Sequence, residues 1–215
     1  MNKQLKTEII KIKKLKKDSS IDPELIKSMT DVFAAGGAVL IPVDCMYGLL
    51  VSPKITEKNN LIVNNAFNLS EESTLLISNF KMAGAAVEIG KHDFDFLHRI
   101  WPGEINVSMK SKKENSAVTM RMPRSKYIHD FINKIGSPVL FIPAECIKKK
   151  IFREADIIKT FTGSVHLIII IKEFCKEHIP PSMVDISGGS LRIIKEGRVQ
   201  SEDIKSLYFL DGQAN

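Results

Sequence analysis

Residues 42–48 read Pro-Val-Asp-Cys-Met-Tyr-Gly and lie between two short apolar runs. An aspartate, a thiol and a phenol at the end of a buried strand could line a small-ligand pocket. Tyr47 would form its wall, and Gly48 would let the backbone turn sharply. On their own these residues favour a plainer reading, a polar turn whose Asp44 side chain bonds nearby backbone. Other chemistries have less support. His92, His98, His129, His166 and His178 show no metal-ligand spacing, and no serine sits in a nucleophile-elbow context. Cys45, Cys146 and Cys175 are odd in number and far apart, which speaks against a disulfide framework or a zinc site. No tightly bound metal is expected, and Gly188-Gly189 is too short a signal for a phosphate loop.

Cations are the commoner chemical feature. Lysines cluster in KIKKLKK near the start, in KSKKE on a turn and in KKK after Ile147. The net charge of +6 suits polyanionic partners, and a solvated basic surface would look the same.

The elements that must position these residues follow from periodicity. Strand and helix repeats alternate, which places the chain in the α/β or α+β class. TEIIKI (residues 7–12) is a candidate first strand. Residues 22–35 form a helix started by Asp22 with Pro23 at its first position and ended by Gly36-Gly37. Two strands flank the opening motif, and a helix is expected over 56–67. STLLISNF is a strand, and helices follow near 82–89 and 94–100, the second broken at Trp101-Pro102-Gly103. EINVSMKS and AVTMRMP pair as a hairpin across KKENS. A helix near 127–134 leads to the strand PVLFIPA and a weakly helical basic stretch. SVHLIIIIK suits a strand buried on both faces, and SMVDIS and LRIIKEG close the pattern. With 215 residues, 44% of them apolar, and no linker or repeat, one domain over 1–215 is expected. No apolar run approaches the ~18 residues of a membrane span, and no signal-peptide core follows Met1, so a cytosolic protein without membrane partners is expected.

Four segments in order resemble the YrdC/TsaC family of threonylcarbamoyl-adenylate synthases. GGAVLIPVDCMYGLL is similar to the family's glycine pair, strand and Pro-Thr-Asp-Thr-x-Tyr-Gly-Leu motif. RIWPGEINVSM resembles its Trp-Pro-Gly-Pro segment, and VTMRMPRS its Val-x-x-Arg-x-Pro strand end. PPSMVDISGGSLRIIKEG resembles its Ser-Thr-x-Val-Asp stretch and Ile-Leu-Arg-x-Gly ending. The likeness is strongest over 30–200, with 1–20 a basic strand and loop. It implies a single YrdC-like domain: a twisted mixed parallel and antiparallel sheet with flanking helices and a basic concave face.

The resemblance also implies an activity, the joining of L-threonine, bicarbonate or CO2 and ATP, with Mg2+, into threonylcarbamoyl-AMP and pyrophosphate for the t6A modification of tRNA. Arg121 stands where the family arginine would pair with the threonine carboxylate. Tyr47 would wall the pocket, and Ser182 would keep a hydroxyl in it. Lys195 stands for the arginine of the last motif on the nucleotide side. Asp185 suits turn capping at least as well as ligand contact, and no residue is assigned a catalytic role. The sequence departs from the family elsewhere. Val43 and Cys45 replace two threonines, Ala66 and Asn68 replace the phosphate-binding Lys-x-Arg, and Pro143-Ala144-Glu145 replaces Ser-Ala-Asn. A second reading is therefore a catalytically impaired member that holds double-stranded RNA or tRNA on its basic face. Proteins that transfer the threonylcarbamoyl group would be partners under the first reading.

Overall fold

The structure, a computed structural model, describes residues 5–44, 46–53, 73–147, 153–172 and 179–210. The helix expected over 56–67, with Ala66 and Asn68, lies outside these residues, as do Cys45, Cys175, His178 and Lys148 to Lys150. The class is mixed α/β. The chain divides into two compact units, Met1–Ser73 with Ser125–His178, and Thr74–Arg124 with Ile179–Asn215.

In the first unit the strands are β1 (Glu8–Ile12), β2 (Val39–Val43), β3 (Met46–Val51), β7 (Val139–Pro143) and β8 (Leu167–Ile171), in the order β1-β8-β2-β3-β7. β8 runs parallel to both β1 and β2, and every residue of its Leu-Ile-Ile-Ile-Ile run is buried, as a strand with neighbours on both edges requires. β2 and β3 form a hairpin in which Val43 opposes Met46. The first helix, α1 (Pro23–Ala34), starts as its sequence dictates: Asp22 accepts a 3.0 Å bond from the Glu24 amide and Pro23 occupies the first turn. Its Phe33 meets Phe131 of α4 (Lys126–Ile135) edge to face at 5.6 Å. The basic stretch after β7 contains α5 (Ala144–Ile147) and α6 (Glu154–Phe161).

The second unit carries β4 (Thr74–Leu76), β5 (Ile105–Lys110), β6 (Ala117–Arg121), β9 (Ser182–Asp185) and β10 (Arg192–Lys195), in the order β4-β6-β5-β9-β10. The β5–β6 hairpin forms as expected, while β5 and β9 run parallel. STLLISNF yields only a three-residue strand, because Asn79 instead accepts a 3.0 Å bond from Met82 N and caps α2 (Phe80–Ala86). α3 (Lys91–Ile100) packs on α7 (Ser201–Tyr208): Phe96 and Tyr208 meet at 5.0 Å, and Arg99 donates a 3.0 Å bond to the Leu207 carbonyl. α7 is absent from the sequence reading, which stops at Gly197. Trp101 seals this core and donates Nε1–H to the Ile105 carbonyl at 2.9 Å.

Candidate functional site

The opening motif is a two-residue hairpin connection held by a distant partner. Asp44 adopts φ of 54°, in the left-handed region that aspartate tolerates better than most residues. Its Oδ1 accepts bonds from both Ser125 N (2.9 Å) and Ser125 Oγ (2.8 Å), while its own amide donates to Ser125 Oγ at 2.8 Å. The polar turn is real, and its partner lies 81 residues away. Tyr127, two residues beyond Ser125, donates its hydroxyl to the Pro42 carbonyl at 2.8 Å. Motif and α4 are thus bonded at two successive points.

Gly48 does not make the turn. It lies inside β3 opposite Pro143, and an added Cβ would stand 2.2 Å from the Phe141 ring and 2.7 Å from the Ile142 carbonyl. Glycine is there because β7 comes so close. Tyr47 is half-buried, and burial pushes its hydroxyl up to about 12, helped by the Glu154 carboxylate and opposed by a backbone hydrogen bond with Ile171. At neutral pH it is a neutral phenol that can wall a pocket or share a hydrogen bond. Glu145 is half-buried on α5, just after Pro143 has paired with Gly48.

In the second unit Arg121 ends β6 beside Leu76 and is 1% exposed. Its carbonyl accepts from Ile77 N at 3.0 Å, which fixes the strand end that carries it. Arginine is almost never buried to this degree without compensating groups. Ser182 is fully buried, with its hydroxyl bonded inside the chain. It donates to the Val199 carbonyl at 2.6 Å and accepts from Gly197 N (3.0 Å) and Val199 N (3.1 Å). One donor and two acceptor sites are all a hydroxyl has, so a ligand would need to displace one of these bonds. Gly197 is required by a separate close approach, since a Cβ there would lie 2.3 Å from the Pro180 carbonyl.

Asp185 accepts from Ser187 N at 2.8 Å and pairs with Arg192. Burial pushes its carboxyl up, but Ser187 and Arg192 outweigh this and hold it below the usual carboxylate range. Lys195 is exposed at the end of β10, after a register irregularity that follows Ile193. The sequence reading overlooked Glu104, which faces Arg198 at 3.3 Å and Arg124 at 4.0 Å, and whose carbonyl accepts from Ser182 N. It also overlooked Ser125. Both join segments distant in sequence, and no local spacing announces either. Among the described residues no cluster of His, Cys, Asp or Glu could hold a metal ion, and no helix is long and apolar enough to cross a membrane.

Comparison with known proteins agrees with this architecture. The Sua5/YciO/YrdC family model, described as telomere recombination, matches residues 31–197. No curated protein shows significant sequence similarity to the chain. The fold is similar to that of E. coli YciO, with a TM-score of 0.77 at 18% identity over 92% of this chain and 98% of that one. It is also similar to the H234A/Y235A form of P. abyssi Sua5, with a TM-score of 0.78 at 17% identity over 93% of this chain. P. abyssi Sua5 complexed with L-threonine gives 0.71 at 17% identity over 94% of this chain. The chain spans 60% and 61% of the length of those two Sua5 chains. With more than half of its length matched, the chain belongs to the Sua5/YciO/YrdC family.

Proposed function

We propose that the chain is a divergent L-threonylcarbamoyladenylate synthase, which joins L-threonine, bicarbonate or CO2 and Mg2+-bound ATP for the t6A modification of tRNA. The observation that carries this reading is the burial of Arg121 at a strand end inside the VTMRMP segment. Excluding a guanidinium from water costs several kcal/mol before its partners compensate. Its planar fork suits the carboxylate of an amino acid. That a similar fold holds L-threonine in P. abyssi Sua5 supports the choice of amino acid.

In the reaction the threonine amine takes up CO2 to give a carbamate. A carbamate oxygen then attacks the α-phosphate, and the bond to the leaving pyrophosphate breaks. Such chemistry is mostly positioning and charge neutralisation. Arg121 would hold the carboxylate, and Lys195 would supply a point charge toward the nucleotide. With Ala66 and Asn68 in place of two cations, each worth about 1.5–3 kcal/mol in a charge-assisted bond, nucleotide affinity should be low. Purified protein incubated with ATP-Mg, L-threonine and bicarbonate is expected to release pyrophosphate slowly and only with threonine, with threonylcarbamoyl-AMP as co-product. No release above background at high enzyme concentration overturns the reading.

A further inference from the structure

The three parallel strands of the first unit end at one edge. Ile12 of β1 pairs with Ile171 of β8, and β2 runs parallel to β8 with Val39 beside Leu167 and Leu40 beside Ile168. The residues that follow these strands are Lys13, Lys172 and Asp44, so the lysine loop and the opening motif emerge on the same carboxyl edge. Small ligands of open parallel sheets bind beyond such ends.

A cleft of about 810 Å³ lies there, lined by Lys13, Lys14, Leu15, Lys16, Lys17, Ile171 and Lys172. The volume is within the ~300–1,000 Å³ range of small-molecule sites. Its five lysines are exposed, and none is ion-paired with a described residue. Among the described residues the cleft lining contains no carboxylate. Asp22 and Glu24 face a neighbouring cavity that shares Lys14 and Lys16.

The lysine loop is built rather than loose. Ser19 donates its amide to the Lys16 carbonyl at 2.9 Å, and Lys16 donates its own to the Ser20 carbonyl at 3.0 Å. Asp18 Oδ1 accepts from Ser20 N at 3.1 Å and Ser20 Oγ at 2.6 Å, and Ser19 takes φ of 60°. Five like charges held around one concavity repel one another until an anion enters.

We infer that this cleft binds a short chain of linked phosphates, as carried by a nucleoside triphosphate or released as pyrophosphate. Lysines reaching in from two elements, the 13–17 loop and Lys172, can bracket a compact multivalent anion. Tyr47 shares a hydrogen bond with the backbone of Ile171, which lines the cleft. The inference rests on the nucleotide-using reading for the source of the phosphates, and its binding test does not depend on turnover.

The experiment is calorimetry of the full chain with inorganic tripolyphosphate, with sulfate at matched ionic strength and with a random RNA duplex, repeated on K16A/K172A and K13A/K14A. Tripolyphosphate is expected to bind more tightly than sulfate, and each double change to weaken it by at least about tenfold, the scale of one charge-assisted contact. Four exposed side chains are removed, and circular dichroism checks that folding is retained. Unchanged tripolyphosphate affinity in both variants overturns the inference. So does an affinity no greater than that for sulfate, or a response to the changes confined to duplex RNA. Pyrophosphate release in the synthase assay with tripolyphosphate affinity unmoved by the lysine changes would remove this site alone. Lysine-dependent tripolyphosphate binding without release would remove the synthase reading alone.

Discussion

Asp44 and Ser125 exchange three hydrogen bonds: the Asp44 carboxylate takes both the amide and the hydroxyl proton of Ser125, and the Asp44 amide returns one to the same hydroxyl. The left-handed backbone at Asp44 is held by this exchange, and with it the start of the strand that carries Tyr47. Ser125→Ala removes the two hydroxyl bonds with Asp44, at a cost of about 1–3 kcal/mol. Asp44→Asn keeps an acceptor and a residue tolerant of the left-handed region, and should cost less than Asp44→Ala. Urea midpoints of the three variants check the order. Equal midpoints for wild type and Ser125→Ala would show that the exchange contributes nothing.

Gly48→Ala tests close approach. The new Cβ would fall inside the Phe141 ring contact and against the Ile142 carbonyl, so the β3–β7 pairing must shift. Overpacking of this kind costs about 1–3 kcal/mol. Adding Phe141→Leu should recover part of the loss and not all of it, because the backbone carbonyl remains. A double-mutant cycle with no coupling would place the clash elsewhere.

These two contacts mark where the sequence was legible. α1 could be read because its cap, its proline and its terminating glycines are local, and β8 because five consecutive apolar residues have few other uses. Asp44 could be read as polar and turn-forming, but its partner could not, since nothing near residue 44 encodes a serine 81 positions on. Gly48 was read as a turn residue because a glycine fitted to a neighbour's ring and one fitted to a turn look alike in a string of letters. By residue type alone an arginine at a strand end suits the surface, and the structure buries Arg121 instead. α7 was missed although Ser201, two acids in the first turn, and Ile204, Leu207 and Tyr208 at helical spacing all announce it.

All three tyrosines are pushed up from the ordinary phenol value. Burial is the largest cause in each case, bringing Tyr47 to about 12 and raising Tyr127 and Tyr208. The native state therefore favours the neutral phenol. That contribution is fully present below the unfolded value near 10 and is lost as pH rises through the folded values. Phenolate absorbance should rise above pH 10 along with loss of the native far-ultraviolet signal, and Tyr47→Phe should move alkaline unfolding upward. A tyrosine titrating near 10 in the folded protein would contradict these burials.

Asp185 gives the opposite limb. Its carboxyl is held below the usual range, so its contribution is present above the unfolded value near 3.9 and is lost as pH falls through the folded value. Asp185→Asn should be less stable than wild type at neutral pH, and the gap should close below about pH 4. A gap that stays constant from neutral to acid pH would mean that the carboxylate form makes no difference to folding.

Arg121 decides the amino-acid side of the proposed activity. Arg121→Ala removes a buried guanidinium and leaves whatever carboxylate it holds unpaired, so L-threonine binding measured by calorimetry should disappear. Arg121→Lys keeps the charge and loses the fork, and should retain part of the affinity. Both variants also test the folding of the second unit, since Arg121 closes β6 beside Leu76. Arg121→Met fills much of the same buried volume but leaves the guanidinium's partners unpaired, so circular dichroism must show that each variant keeps the native signal before threonine binding is compared. Folded Arg121→Met without threonine binding, beside Arg121→Lys with weakened binding, is the expected pair. Equal threonine affinity in wild type and Arg121→Ala would remove Arg121 from the site, and with it the main support for reading this chain as a synthase.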